Sequence, residues 1–354
     1  MIFNCPRERY YYTEYGGRGI QSSIINDDLL FGLAVHKGCE ILSGGGGFDE
    51  AVSYALEEMK DMQEASTPEH LSHIDEMKTL LYGELKMYEA YILPLILNEY
   101  EIIGTEEEIV IPLSPEVTYL TRLDKKLRRR SDDVFLSLNY KTSSYLSNLY
   151  DMSEHNLQLI MEAKGASIST GSFVSGSLVV GFDKGSKRKV SDSEQRQGLE
   201  GSRRISPFTY GYSKDDDPWE SDKVSSQYKA GWKRFPIWGG GNWIDMAEEW
   251  WGRIEDRVKM SQFVILPPII YDPSTIESLS NQIVQTELEL PKLRYPQNLK
   301  NCNQHAGYIG HKCPYIPFCW NGERVEDVLG GAFRWREINH EYEREFLPEE
   351  VRWL

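Results

Sequence analysis

VFLSLNYKTSS, residues 134–144, carries the alternation of a strand: Val134, Leu136 and Leu138 are spaced two apart, with Phe135, Ser137 and Asn139 between them. The spacing predicts a half-buried strand over 134–141 that ends in Lys141, with Asn139 two places before it. A lysine at a strand end beside carboxylates suits phosphodiester chemistry, because an ammonium orients an attacking water and stabilises charge on a pentavalent phosphate. Such a lysine works with an acidic neighbour that holds a metal. The neighbour here is a neutral amide.

Working outward, EEIVIPL (107–113) and EVTYLTRLD (116–124) read as two earlier strands, SEHNLQLIMEAKGA (153–166) as a helix and SFVSGSLVVGF (172–182) as a further strand. Three consecutive strands, a helix and a fourth strand predict a mixed α/β sheet flanked by helices, a meander followed by a crossover. Ahead of it, helices are expected over 25–42, opened by Asn26, Asp27 or Asp28 and stopped by the glycines at 44–47, then over 49–63 and 73–100. Pro94 should kink or shorten the last of these. From 186 to 245 the text turns to Gly, Ser, Asp and Lys with interspersed aromatics, a long irregular insertion, before helical periodicity returns over 245–260. The chain thus divides into a helical N-terminal region (1–105), a core (106–190), an aromatic-rich insertion with helices (191–290) and a cysteine-bearing C-terminal region (291–354). There is no internal repeat.

The 354 residues suffice for one large, embellished domain. A net charge of -16 argues against a uniformly basic nucleic-acid coat, since a negative field repels phosphate at long range, but it leaves room for a local basic groove. KKLRRR (125–130) and KGSKRK (184–189) each read as such a groove or as a solvated turn. With no run of eighteen apolar residues and no apolar core in the first thirty, the expectation is a cytoplasmic protein without membrane contact.

In that reducing compartment the five cysteines are poor disulfide formers, and the C-x10-C-x5-C spacing of Cys302, Cys313 and Cys319 points to metal. Joined by Cys5 they suit a 4Fe-4S cluster. Joined by His305 they suit tetrahedral zinc, and spacing alone leaves the two nearly even. Cys39 reads as a small buried apolar residue. Trp232, Trp238 and Trp243, among Lys229, Lys233 and Arg234, have the composition of a base-stacking platform or, alternatively, of a cover over the core.

Four positions are set to converge: His36 on the first helix, Asp124 at the end of one strand, Asn139 and Lys141 on the next. Fifteen residues separate Asp124 from Asn139, enough for a hairpin that brings them side by side. Taken singly, His36 reads as a core histidine, Asp124 as a turn former and Lys141 as a strand exit. Taken together they outline a nuclease site in which imidazole and oxygen ligands hold Mg²⁺ or Mn²⁺ against a scissile phosphate.

With NCPRERYYY (4–12), LLFGLAVHKG (29–38), TRLDKK (121–126), LNYKTSS (138–144), HNLQLIMEA (155–163) and CNQHAGYIGHKCPYIPFC (302–319) in this order, the chain resembles the PD-(D/E)XK nucleases. The resemblance is to the RecB-like branch with its CRISPR-associated iron–sulfur exonucleases and phage-type variants. It implies a restriction-endonuclease-like core, metal binding by His36, Asp124 and the residue at 139, catalysis by Lys141, and Gln158 on a helix lining the DNA groove. It implies cleavage of DNA, often exonucleolytic and on single strands; Lys184 of the basic run and Trp232 of the aromatic-rich insertion are further candidate nucleic-acid contacts, read from composition. It also favours a 4Fe-4S cluster on Cys5, Cys302, Cys313 and Cys319 that clasps the chain ends, and it is compatible with a homo-oligomer or a helicase or recombination partner.

Two departures stand out. The family has Tyr a few residues after the helix Gln, where this chain has Met161 and Glu162, a mild change. It has Asp or Glu where this chain has Asn139, and three explanations compete for that change. The residue is an inactivating replacement of a nearly isosteric Asp, or it marks a catalytically weak protein retained for DNA binding, or an acid such as Glu116, Asp132 or Asp133 has moved into the site.

Overall fold

The computed structural model describes residues 7, 10–15, 19–22, 27–60, 68–143, 146–184, 186–189, 202–205, 247, 248, 251, 263–289, 315, 318, 319, 324–327, 329, 330 and 333–336. A π-helical turn (Tyr10–Glu14) and strand β1 (Ile20–Ser22) lead into helices α1 (Asp27–Ser43), α2 (Phe48–Glu58) and α3 (Pro68–Met87). As expected, α1 stops at the glycine run, where Gly45 takes a φ of 87° and the Gly46 N–H reaches back to the Ile41 carbonyl. Beyond α3 a π-helical turn (Tyr88–Ile92) passes into α4 (Leu93–Glu99). Pro94 sits in the first turn of α4 and brings no N–H. The turn before it widens to π spacing, and the helix continues.

Strands β2 (Tyr100–Pro112), β3 (Thr118–Arg129) and β4 (Phe135–Ser143) form an antiparallel meander. Helices α5 (Leu149–Glu154) and α6 (Leu157–Thr170) then cross over to β5 (Val174–Asp183), which runs parallel to β4. The order of strands, helix and strand is the expected one. A ribbon of β6 (Ser186–Lys189) and β7 (Ser202–Ile205) follows, and β8 (Phe263–Ile265) and β9 (Ile269–Ile270) pair with the outer edge of β5. The sequence reading missed β8 and β9, which at three and two residues are too short for any alternation to register. A Cβ on Gly176 would stand 1.9 Å from the Ile269 carbonyl oxygen, so glycine is what lets β9 lie against β5. Helix α7 (Pro273–Glu289) completes the described core. The boundary expected at 105 cuts through β2, and residues 263–289, assigned with the insertion, belong to the sheet and its cover.

Apolar residues from α1, α2 and α3 pack against Leu127, Leu136, Leu138, Tyr140, Val180 and Phe182 on one face of the sheet. Those of α6 and α7 pack against Ile109, Ile111, Val174 and Val179 on the other. Hence β4 is not half-buried as its alternation implied: Leu136 through Tyr140 are all buried, because a central strand with a crossover helix is covered on both faces.

The basic run KKLRRR is neither a groove nor a solvated turn. It completes β3, with Lys125 buried, Lys126 paired with Glu107 and Ser169, Arg128 with Glu101, Arg129 with Asp132, and Arg130 on the Leu97 carbonyl.

Under the first core the hydroxyls of Tyr88 and Tyr140 share a hydrogen bond of 2.6 Å, and burial pushes the pKa of both upward. Tyr88→Phe strands the Tyr140 hydroxyl in an apolar site and is expected to cost about 1–3 kcal/mol. Urea denaturation should show the Tyr88→Phe/Tyr140→Phe pair costing less than the sum of the two single changes. An additive double variant would mean that the hydroxyls do not depend on each other.

A third core joins segments far apart in sequence. Tyr11, Ile20, Tyr315, Phe318, Val325 and Phe333 cluster, β1 pairs with β10 (Phe333–Trp335), and the Tyr11 and Tyr315 rings stack at 5.6 Å. The Tyr315 hydroxyl donates to the Ile20 carbonyl at 2.8 Å.

Candidate active site

Strands β3 and β4 pair only between Lys125–Arg128 and Phe135–Leu138, and beyond Leu138 they part. The backbone of Tyr140 is thereby left without a β3 partner, and two side chains take that place. Asp124 Oδ2 accepts the Tyr140 N–H at 2.9 Å, and His36 Nε2 donates to the Tyr140 carbonyl at 2.8 Å. Helix α1 lies against this end of β4, with Gly32 facing Thr142. His36 Nδ1 lies 3.2 Å from Asp124 Oδ1, closing the arrangement.

Burial alone would lower the His36 pKa, but the charge and hydrogen bond of Asp124 outweigh it and raise it. Burial would raise the Asp124 pKa, and His36, Lys141 and the Tyr140 N–H together hold it below the usual carboxylate range. Both ring nitrogens face oxygen acceptors, the Tyr140 carbonyl and the Asp124 carboxylate, and the raised pKa favours the protonated ring. As it stands His36 orients Asp124 and anchors β4.

Asn139 and Lys141 flank Tyr140. Asn139 is 1% exposed, on the side of the sheet that α6 covers, and its Nδ2 has no hydrogen-bond partner. Lys141 Nζ stands 3.4 Å from Gln158 Oε1, and Gln158 Nε2 donates to Glu162 Oε1 at 2.7 Å. The start of α6 is fixed by Asn156, whose side chain accepts from the N–H groups of Gln158 and Leu159. Gln158 and Glu162, one turn apart, consequently share a helix face.

The sequence reading passed over two acids here. Glu162 is 1% exposed, and its Oε2 has no hydrogen-bond partner. Burial, reinforced by the charge of Asp124, pushes its pKa up to about 7 against the opposing pull of Lys141, Gln158 and Asn139. Placing Glu162 here makes the departure after the helix Gln far from mild. Glu106, on β2, takes a left-handed φ of 48° beside Asp124, between the register pairs Thr105 with Lys125 and Glu107 with Leu123. Burial pushes its pKa to about 7 as well, Asp124 and Glu40 adding to the effect and His36 and Lys125 opposing it.

None of the three acids expected to replace the one missing at 139 reaches the site. Glu116 sits in the β2–β3 turn with Ser114, Asp132 is tied to Arg129, and Asp133 lies in the exposed β3–β4 turn, about 20 Å along the strand from Asn139. Lys184 lies 3.8 Å from Asp28, and its N–H donates to the Ser143 carbonyl at the end of β4. Beyond it the β6–β7 ribbon sets Lys187 opposite Arg204 and Arg188 opposite Arg203.

The carboxylates of Asp124, Glu106 and Glu162 with the Asn139 amide are a set of hard oxygen donors, the chemistry that Mg²⁺ and Mn²⁺ prefer, and the orphaned Glu162 oxygen fits a cation. Among the described residues no three His, Cys, Asp or Glu side chains are grouped to coordinate one ion. Of the expected cluster ligands, Cys319 packs against the third core, while Cys5, Cys302, Cys313 and the alternative His305 lie outside the described residues, as do Trp232, Trp238 and Trp243. Cys39 is fully buried, as expected, and burial pushes its thiol pKa well up. No described helix is long and apolar enough to cross a membrane. No protein-family model matches the chain, and no curated protein matches it in sequence.

Proposed function

We propose that this chain is a metal-dependent DNA nuclease of the PD-(D/E)XK type, acting exonucleolytically on single strands or ends. The observation that carries the reading is the gathering of Asp124, Asn139, Lys141 and Gln158 where β3 leaves β4, in a meander followed by a parallel crossover. A bound divalent cation would supply positive charge against the phosphate and lower the pKa of an attacking water. Asp124 and Asn139 offer it oxygens. His36 keeps Asp124 ionised and aimed, and the Lys141 ammonium, steadied by Gln158, stabilises charge growing on the phosphate oxygens. The basic ribbon of β6 and β7 lies next in the chain after the strand that flanks β4 and would draw in a phosphate backbone. An iron–sulfur cluster on Cys5, Cys302, Cys313 and Cys319 belongs to the same reading, with the third core already holding the two chain segments together.

A second reading is a non-catalytic DNA-binding module, favoured by the neutral Asn139 and by the full engagement of both His36 nitrogens. The discriminating assay uses anaerobically purified protein with linear and circular single-stranded DNA in Mn²⁺, comparing the chain with Asn139→Asp and Asn139→Glu. The nuclease reading expects EDTA-sensitive digestion of the linear substrate by the chain or by an acid variant. DNA binding without turnover in all three would replace it with the second reading.

A further inference from the structure

Position 139 lacks an acid, yet its surroundings do not lack one. The side chains of Asn139 and Glu162 are each 1% exposed and face each other from β4 and α6; Asn139 lowers the Glu162 pKa, but its Nδ2 and the Glu162 Oε2 make no hydrogen bond of good geometry with each other or with any other group. A buried carboxylate oxygen with no donor is costly unless something positive occupies the space in front of it. Gln158 holds the other oxygen, Oε1, at 2.7 Å, which leaves Oε2 available. Lys141, the nearby cation, is 3.4 Å from Gln158 and acts on Glu162 through its field.

We propose that Glu162 supplies the carboxylate missing at position 139 and, with Asp124 and the Asn139 amide oxygen, holds the divalent cation of the site. This rests on the nuclease reading, and it makes Asn139 a partner in an exchange of acids between strand and helix. The carboxylate has moved from the strand to the neighbouring helix turn, keeping the charge of the site while changing the element that bears it. Asn139 then contributes a neutral oxygen ligand, which a site already holding Asp124 and Glu162 can accommodate without further like-charge repulsion.

The test is Mn²⁺ binding to the full chain, read as the loss of the free Mn²⁺ spin-resonance signal and as a Mn²⁺-dependent rise in thermal midpoint, with no DNA present. The chain is expected to bind Mn²⁺, Glu162→Gln to bind it at least tenfold more weakly, and Asn139→Asp/Glu162→Gln to recover most of the loss. Glu162→Gln keeps an oxygen to accept from Gln158 and removes a buried charge that burial disfavours, so its metal-free midpoint should stay level or rise. A midpoint that falls in step with the lost binding would assign Glu162 to the fold and overturn the proposal. Wild-type affinity in Glu162→Gln, or a double variant that recovers nothing, also overturns it, while loss of binding in Asp124→Asn keeps the site itself. If the chain binds no Mn²⁺ but Asn139→Asp does, the proposal fails and the nuclease reading stands. Absence of binding in both removes the two together.

Discussion

Lys141→Ala should lower the rate of DNA cleavage by about 10²–10³-fold, the usual consequence of deleting one preorganised cationic or hydrogen-bonding group that meets charge developing on an oxyanion. The same change should move the folding free energy by less than about 1 kcal/mol. Both halves follow from where the ammonium stands. Its one hydrogen bond is long, 3.4 Å, to a Gln158 oxygen that water can satisfy in its absence. Its electrostatic reach, by contrast, covers His36, Asp124 and Glu162. Removing it takes from Glu162 the cation that opposes its raised pKa and leaves Asp124 with His36 alone, so on the nuclease reading the site loses its means of stabilising phosphate while the sheet loses little. Single-turnover cleavage of end-labelled single strands, set beside urea denaturation, checks the two. A variant that cuts at the wild-type rate would remove Lys141 from the chemistry, and one that unfolds would assign it to the scaffold.

Asp124→Ala is expected to do the opposite, costing about 1–3 kcal/mol of stability and, on the nuclease reading, the activity as well, because it leaves the half-buried His36 ring and the Tyr140 N–H without their partner at once. The cost should depend on pH in a defined direction. Asp124 has a depressed pKa when folded, so its contribution is present above the unfolded carboxylate value, about 3.9, and fades as pH falls through the folded value. His36 has a raised pKa when folded, so its contribution is complete below the unfolded imidazole value, about 6.5, and fades as pH rises through the folded one. The difference between the chain and Asp124→Ala should accordingly be greatest in mildly acidic solution and shrink toward either side. Denaturation series across that range test it. A difference that grows as the solution becomes alkaline would mean that His36 is neutral in the folded protein.

The meander, the crossover and the convergence of Asp124, Asn139 and Lys141 were legible because strand alternation and hairpin length are local properties. What the sequence concealed depends on how elements turn relative to one another. Glu162 sits in a run, LQLIMEA, whose other members apart from Gln158 are apolar or small, and only the rotation of α6 under β4 decides whether it faces solvent or Asn139. Glu106 enters the site through a left-handed residue amid three consecutive glutamates, a pattern that otherwise reads as a solvated strand. The basic run at 125–130 looked available because the acids that neutralise it, Glu101 and Glu107, belong to the neighbouring strand. Burial of β4 on both faces likewise came from its partners, since Ser137 and Asn139 look polar in the text but lie beneath a helix.

The clamp on Tyr140 also separates what such a protein can change from what it must keep. Tyr140 is fixed through its backbone by Asp124 and His36 and through its hydroxyl by Tyr88, so it acts as a pivot whose two neighbours in sequence can vary without moving it. An acid can leave position 139 without disturbing the backbone bonds of the clamp. Asp124 and His36 have no such freedom, because they serve as the missing strand. A lineage that drifted away from catalysis would therefore shed its chemistry at 139 and 141 first and still carry the aspartate and the histidine, selected by then as masonry.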